Sequence, residues 1–293
     1  MIVSQFEVSQ YEDTYTIYEL KEPGTSSRVL VCPERGGIVI GCQLHGEELF
    51  YLDKATLEHP TANIRGGNPI LFPICGHLKN GSYEWAGTRY EMANHGVART
   101  SPWEVISTST NSEASITLRL QSNKESLSAY PFHYELEFTY ALVGGELHTR
   151  QHYRNCGQAG SGAMPFYAGF HPYFAIEGSK SIPYDTDATR YVDYNDNVVK
   201  PYTGVIDLNN RGASVCLLDA ERREIAFPIR EGVKVRMRYD DPFKYVVLWS
   251  VIDHPFICVE PWMAETGELN RQEELVLLEA GETLSCNLII SRA

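Results

Sequence analysis

Several features are missing from this chain, and each absence narrows its nature. No apolar run is long enough to cross a membrane as a helix. The longest, residues 245–252 (YVVLWSVI), falls far short of the ~20 residues required. The opening residues MIVSQFEVSQYEDTYTIYEL have neither a basic nor an apolar leader region, so no signal peptide and no membrane partner are expected. Basic residues are the minority, 25 Lys+Arg against 38 Asp+Glu, for a formal charge of −13. A net negative field repels phosphate backbones, so nucleic acid is not an expected partner. The seven cysteines (32, 42, 75, 156, 216, 258 and 286) form no CxxC. An odd, scattered set without a leader predicts free thiols in a reducing compartment, hence a cytoplasmic location. There is no GxSxG elbow, no GxxxxGK[ST] loop and no GxGxxG. Sustained amphipathic helical patterns, internal repeats and low-complexity tracts are also lacking.

What is present is strand-like. Aromatics reach 11%, with 18 Tyr, which favours sheet over helix. Ile116, Leu118 and Leu120 alternate with polar residues. So do Tyr134, Leu136, Phe138 and Tyr140, and so do Val233, Val235, Met237 and Tyr239. Period-2 alternation predicts half-buried strands. Turn signals punctuate them at Pro23-Gly24, Gly36-Gly37, Asn80-Gly81, Gly144-Gly145, 209–212, Glu231-Gly232 and Gly281-Glu282. Asn80-Gly81 reads as a hairpin turn rather than part of a glycosylation sequon. A short helix is expected near residues 55–59. The fold predicted is all-β: a large antiparallel β-sandwich forming one domain over residues 1–293, with under ~15% helix.

Candidate chemistry is sparse. His148 and His152 form HxxxH, but on a strand they stand ~13 Å apart. A zinc ion binds each ligand at ~2 Å, so no metal site is expected there. Cys258, in PFICVEP, reads as a small buried hydrophobe. Three clusters remain. The first is RGGNPILFP at 65–73 with NHGVAR at 94–99. The second is FYAGFHPYF at 166–174. The third is VVLW at 246–249 with FICVEPW at 256–262. Glu260 interrupts an apolar strand, where a carboxylate must be paired, hydrogen-bonded or shifted in pKa. His171 lies among aromatics. A His and a Glu together supply a general acid and a general base. Phe72, Tyr173, Phe174, Trp249 and Trp262 offer flat faces suited to a pyranose ring. The inventory fits acid–base chemistry on a sugar, with no metal and no cofactor. Arg65 and Arg99 have two readings. Either Arg65 bonds a hydroxyl or loop carbonyl and Arg99 pairs with a carboxylate such as Glu104, or they hold a phosphate.

At these clusters the sequence resembles the aldose 1-epimerase (mutarotase) family, in the galactose mutarotase-like branch that includes hexose-6-phosphate epimerases. The matching stretches are RGGNPILFP, HGVAR (95–99), GFHPYF (169–174) and VEPW (259–262). The resemblance implies the galactose mutarotase-like supersandwich. It implies that His171 protonates the ring oxygen and that Glu260 takes the proton from the anomeric hydroxyl. His95 and Arg65 would bind sugar hydroxyls. Trp249 and Arg99 join them as substrate-binding candidates. An Asp contacts the sugar in galactose mutarotases, and Asp240 and Asp241 are the candidates here. Galactose-type members read HTYF at the second cluster, where this chain has Pro172. The partner expected is a small-molecule hexose or hexose phosphate, and the protein is expected as a monomer or homodimer. The alternative reading is a non-catalytic carbohydrate-binding β-sandwich. It requires the aromatic platform but not both His171 and Glu260.

Overall fold

A computed structural model describes residues 5–293. Two large antiparallel sheets carry the architecture. The first runs in the order Glu224–Arg230, Val233–Tyr239, Thr283–Arg292, Glu146–Asn155, Tyr134–Val143, Ala114–Gln121, Glu104–Ser109. The second runs Val198–Pro201, Arg190–Asp193, Val215–Leu217, Tyr245–Trp249, Phe256–Trp262, Gly169–Phe170, Ile70–Leu71. Tyr173–Ala175 also pairs with Phe256–Trp262. A five-stranded sheet from residues 7–48 adjoins them. The α-helices among the described residues are three short ones of 5, 6 and 4 residues. The all-β expectation holds, and the short helix falls at Lys54–Glu58.

The alternation in sequence becomes alternation in burial. Tyr134, Leu136, Phe138 and Tyr140 are buried, while Glu135, Glu137 and Thr139 are only partly so. The inward residues meet across the sandwich: Phe138 lies 6.1 Å from Phe170, and Phe72 4.9 Å from Tyr134, ring centre to ring centre. Phe72 and Phe174 are fully buried in this core, Phe174 against Phe50 and Phe227. They are therefore not sugar platforms. Strand alternation sends Phe174 to the face opposite Tyr173.

Gly144-Gly145 and Glu231-Gly232 close two-residue hairpins as expected. The hairpin after Asn80-Gly81 turns elsewhere. Ser82–Trp85 pairs with Thr88–Glu91 across Ala86-Gly87, both at positive φ. Asn80-Gly81 is a real turn, also at positive φ, but it leads into the hairpin instead of closing it. His148 and His152 lie on the strand Glu146–Asn155, as read from the alternation. All seven cysteines are free. No helix among the described residues is long and apolar enough to cross a membrane.

Candidate active site

The second sheet sets the site through its register. In Phe256–Trp262, a strand buried at all seven positions, residues two apart share a face. Cys258, Glu260 and Trp262 thus stand in a row. Trp249 pairs opposite Cys258 and Val247 opposite Glu260. On the other flank Tyr173 pairs with Cys258. The short connection between Gly169–Phe170 and Tyr173–Ala175 brings His171 over the same row, its amide N–H bonded to Pro69 O at 3.1 Å. The imidazole stacks on Tyr173 at 4.8 Å and meets Trp249 edge-on at 5.6 Å. His171 Nε2 then lies 3.5 Å from Glu260 Oε1.

Two loops complete the lining. Arg65-Gly66-Gly67 is pressed between neighbouring backbones. A Cβ on Gly66 would sit 2.5 Å from Leu52 Cα, and one on Gly67 would sit 2.3 Å from Val39 O. Both glycines adopt positive φ, so no other residue fits without strain. Gly67 N–H donates to Tyr51 O and Gly67 O accepts from Tyr173 N, which ties the loop to the His171 segment. The segment just before Arg65 is held by a second arginine. Buried Arg35 donates to the carbonyls of Thr56, Leu57, His59, Pro60 and Ala62. The 94–99 loop brings in His95, whose backbone is in the left-handed region. His95 Nδ1 accepts from Gly76 N–H at 3.1 Å, so the neutral ring carries its proton on Nε2. The two histidine rings meet edge to face at 5.3 Å.

The result is an open cleft of about 780 Å³. It is lined by Arg65, His95, Arg99, His171, Trp249 and Glu260 together, six of the eight residues expected from sequence. Asp240 and Asp241 are not among them. Asp240 accepts from Asn287 N and Nδ2, tying two strands of the other sheet. Asp241 is a solvent-exposed partner of Arg223. Glu260 is the one carboxylate lining the cleft among the described residues. Asn63, Asn94, Tyr194, Asn197, Ser214, Thr266 and Arg271 also line it, and sequence reasoning assigned none of them to the site. Tyr194 reaches it from a loop after Arg190–Asp193, its hydroxyl bonded to Glu265 at 3.0 Å. No local motif marks that loop. Its place comes from sheet topology alone.

The electrostatics are unusual. Glu260 is 1% exposed, and burial pushes its carboxyl well above the usual range. The Trp262 indole and Arg99 oppose this without cancelling it. His171 is 7% exposed and is pulled down to about 3 by burial, then by Arg99 and Arg65. Burial also depresses His95, with His171, Arg99 and His77 adding to it. Glu260 Oε2 and His171 Nδ1 are buried without hydrogen-bond partners. The expected Arg99–Glu104 pair does not form, because Glu104 pairs with Arg119 at 2.8 Å. Neither Arg65 nor Arg99 uses its guanidinium in a hydrogen bond or ion pair among the described residues.

An antiparallel sandwich with a His–Glu pair in an aromatic, polar-rimmed cleft has the form of a small-molecule site. The chain belongs to the aldose 1-epimerase family, whose profile, described as Aldose 1-epimerase, matches residues 17–291. Its structure is similar to that of the Slr1438 protein from Synechocystis sp. PCC 6803. The TM-score is 0.91, with 31% identity over 98% of this chain and 99% of that one. A galactose mutarotase-like protein from Lactobacillus casei ATCC 334 shares the fold, with a TM-score of 0.75 and 21% identity over 98% of this chain and 100% of that one. A protein of Cenchrus ciliaris, provisionally named a glucose-6-phosphate 1-epimerase, is 27% identical over 161 residues, 53% of this chain and 45% of that one.

Proposed function

We propose that this protein is an isomerase that interconverts the α and β anomers of a hexose. The observation that carries this reading is the His171–Glu260 contact, 3.5 Å across the buried face of the cleft, with an unpartnered polar atom on each side chain. His171 delivers a proton to the ring oxygen while Glu260 removes one from the anomeric hydroxyl. The C1–O5 bond breaks and an open-chain aldehyde forms. After rotation about C1–C2 the aldehyde recloses from its other face, and both protons return. His95 and Arg65 hold hydroxyls, and Trp249 offers its face to the ring.

The pair needs one proton between its two members. Burial disfavours the charged arrangement, so the resting proton sits on Glu260 and His171 is neutral. The charged and neutral arrangements are tautomers of one singly protonated pair, and turnover passes between them. With two protons the pair has no base. With none it has no acid. Activity is therefore expected to follow a bell with an acid limb near His171's low value and an alkaline limb at Glu260's raised one. A profile that rises through the ordinary histidine range would contradict this.

A second reading is favoured by the two unpaired guanidinium groups. Arg65 and Arg99 line the cleft with free donors, an arrangement suited to phosphate oxygens. The name of the Cenchrus ciliaris relative supports the same substrate, a hexose 6-phosphate. Polarimetry on freshly dissolved α-glucose, α-galactose and α-glucose 6-phosphate separates the readings. Faster decay of rotation with protein supports epimerisation. Decay at the spontaneous rate for all three leaves the binding-module alternative. The family match and an apolar core shared by both large sheets support reading residues 1–293 as one domain. Seven free cysteines support a cytoplasmic location.

A further inference from the structure

Anomer interconversion uses an imidazole and a carboxylate. It has no use for the thiol beside them. Cys258 shares a strand face with Glu260, and Tyr173, which pairs with Cys258, stacks on His171. One donor atom from each of His171, Cys258 and Glu260 lies within 4.8 Å of the other two. The three residues are 7%, 0% and 1% exposed. The Cys258 thiol makes no hydrogen bond, and His171 Nδ1 and Glu260 Oε2 are unpartnered. Nitrogen, sulfur and oxygen donors thus lie together, two of them, on His171 and Glu260, at the wall of the cleft.

We propose that His171, Cys258 and Glu260 form a binding site for a thiophilic divalent cation, Zn²⁺, which inhibits the protein by capturing its acid–base pair. Zinc bonds of ~2.0 Å to N and O and ~2.3 Å to S place tetrahedral donors about 3.3–3.6 Å apart, so the cluster need contract only slightly. Arg65 and Arg99 face the same cleft and oppose any cation. The thiolate bond must outweigh that repulsion, so Mg²⁺ and Ca²⁺, which take oxygen ligands, are excluded. This inference goes beyond the epimerase reading, because metal uptake is measurable without any sugar.

The test starts from Cys156→Ser protein, which removes the exposed thiol, freed of metal by chelator dialysis. Cd²⁺ is titrated in while the ultraviolet thiolate-to-Cd²⁺ charge-transfer absorption is followed. One Cd²⁺ per chain with that absorption is expected. Cys258→Ser should abolish the absorption and weaken uptake roughly tenfold or more. His171→Asn should weaken uptake as well. In polarimetry, Zn²⁺ should slow anomer interconversion in competition with sugar, reversibly with chelator. Cys258→Ser should keep the basal rate and lose Zn²⁺ sensitivity. Absence of the absorption in the parent protein overturns the site. So does unchanged uptake in either variant, including the case where Cys258→Ser fails to fold and His171→Asn binds as the parent does. Loss of polarimetric activity with metal uptake intact would overturn the epimerase reading and leave the site standing.

Discussion

Asp193 and Glu260 are both buried carboxylates on strands of the same sheet, 3% and 1% exposed. Their surroundings differ completely. Asp193 accepts from Lys200 at 2.7 Å, from Arg211, and from the backbone and side chain of Asn195. Burial alone would raise its pKa, but these donors outweigh it and hold the group well below the ordinary range. Glu260 has His171 at 3.5 Å, with the Trp262 indole and Arg99 too weak to offset its burial, and keeps an oxygen without a partner. Asp193 therefore anchors the loop that carries Tyr194 and Asn197 to the cleft. Glu260 is left underbonded where a substrate enters. A saturated buried carboxylate builds structure. An unsaturated one is available for chemistry.

The contrast is sharpest under substitution. Glu260→Gln keeps the shape and removes the proton site, so kcat is expected to fall ~10²–10⁴-fold. Its melting temperature should stay level or rise, since no satisfied interaction is lost. Wild-type turnover in this variant would end the assignment. Arg99→Ala should lower kcat/KM for glucose 6-phosphate relative to glucose by about 10–150-fold if the guanidinium holds phosphate. An unchanged ratio in steady-state kinetics would remove Arg99 from that role. Asp193→Ala strands Arg211 and Lys200 and should cost about 3 kcal/mol in chemical denaturation. Folded protein should still turn over. A stable Asp193→Ala with no activity would mean the two carboxylates had been assigned backwards.

The smallest effect is in the pH dependence of stability, where the two groups have opposite signs. Glu260 has a raised folded pKa. Its unfolded counterpart releases the proton near ~4.3, so the folded state loses stability as pH climbs from there through the raised value. Asp193 has a depressed folded pKa, and its contribution is present above ~3.9 and lost as pH falls. The stability of Glu260→Gln relative to wild type should thus grow as pH rises above ~4.3. The deficit of Asp193→Asn should shrink on acidification below about pH 4. Parallel curves for the two variants would refute the contrast.

Much of this was legible in the sequence, for identifiable reasons. Strand alternation is a local property, and it gave the burial of 134–140 and 233–239 residue by residue. The chemistry of the cleft was legible where composition clashed with context, as with Glu260 in an apolar strand. What lay hidden depended on long-range pairing. Asp240 and Asp241 stand at a strand end that topology places in the other sheet, where Asp240 meets Asn287. Phe72 and Tyr173 are equally aromatic in sequence, and only the direction of the strand separates core from cleft. The Glu104 carboxylate that Arg99 was expected to use is taken by Arg119 across a strand pair. Tyr194 carries no signal, because the loop bearing it comes to the cleft through strand order rather than motif.

Arg35 grips five peptide carbonyls between Thr56 and Ala62 and none of that segment's side chains. Such a clasp is blind to the identity of the residues it holds. Apart from Thr56, whose hydroxyl accepts from Arg65 N at 2.9 Å, and buried Leu57, the residues up to 62 can change while the chain still delivers Asn63, Ile64 and Arg65 to the same place. The constraint on how this loop meets the cleft falls on the one buried arginine beneath it more than on the residues it clasps.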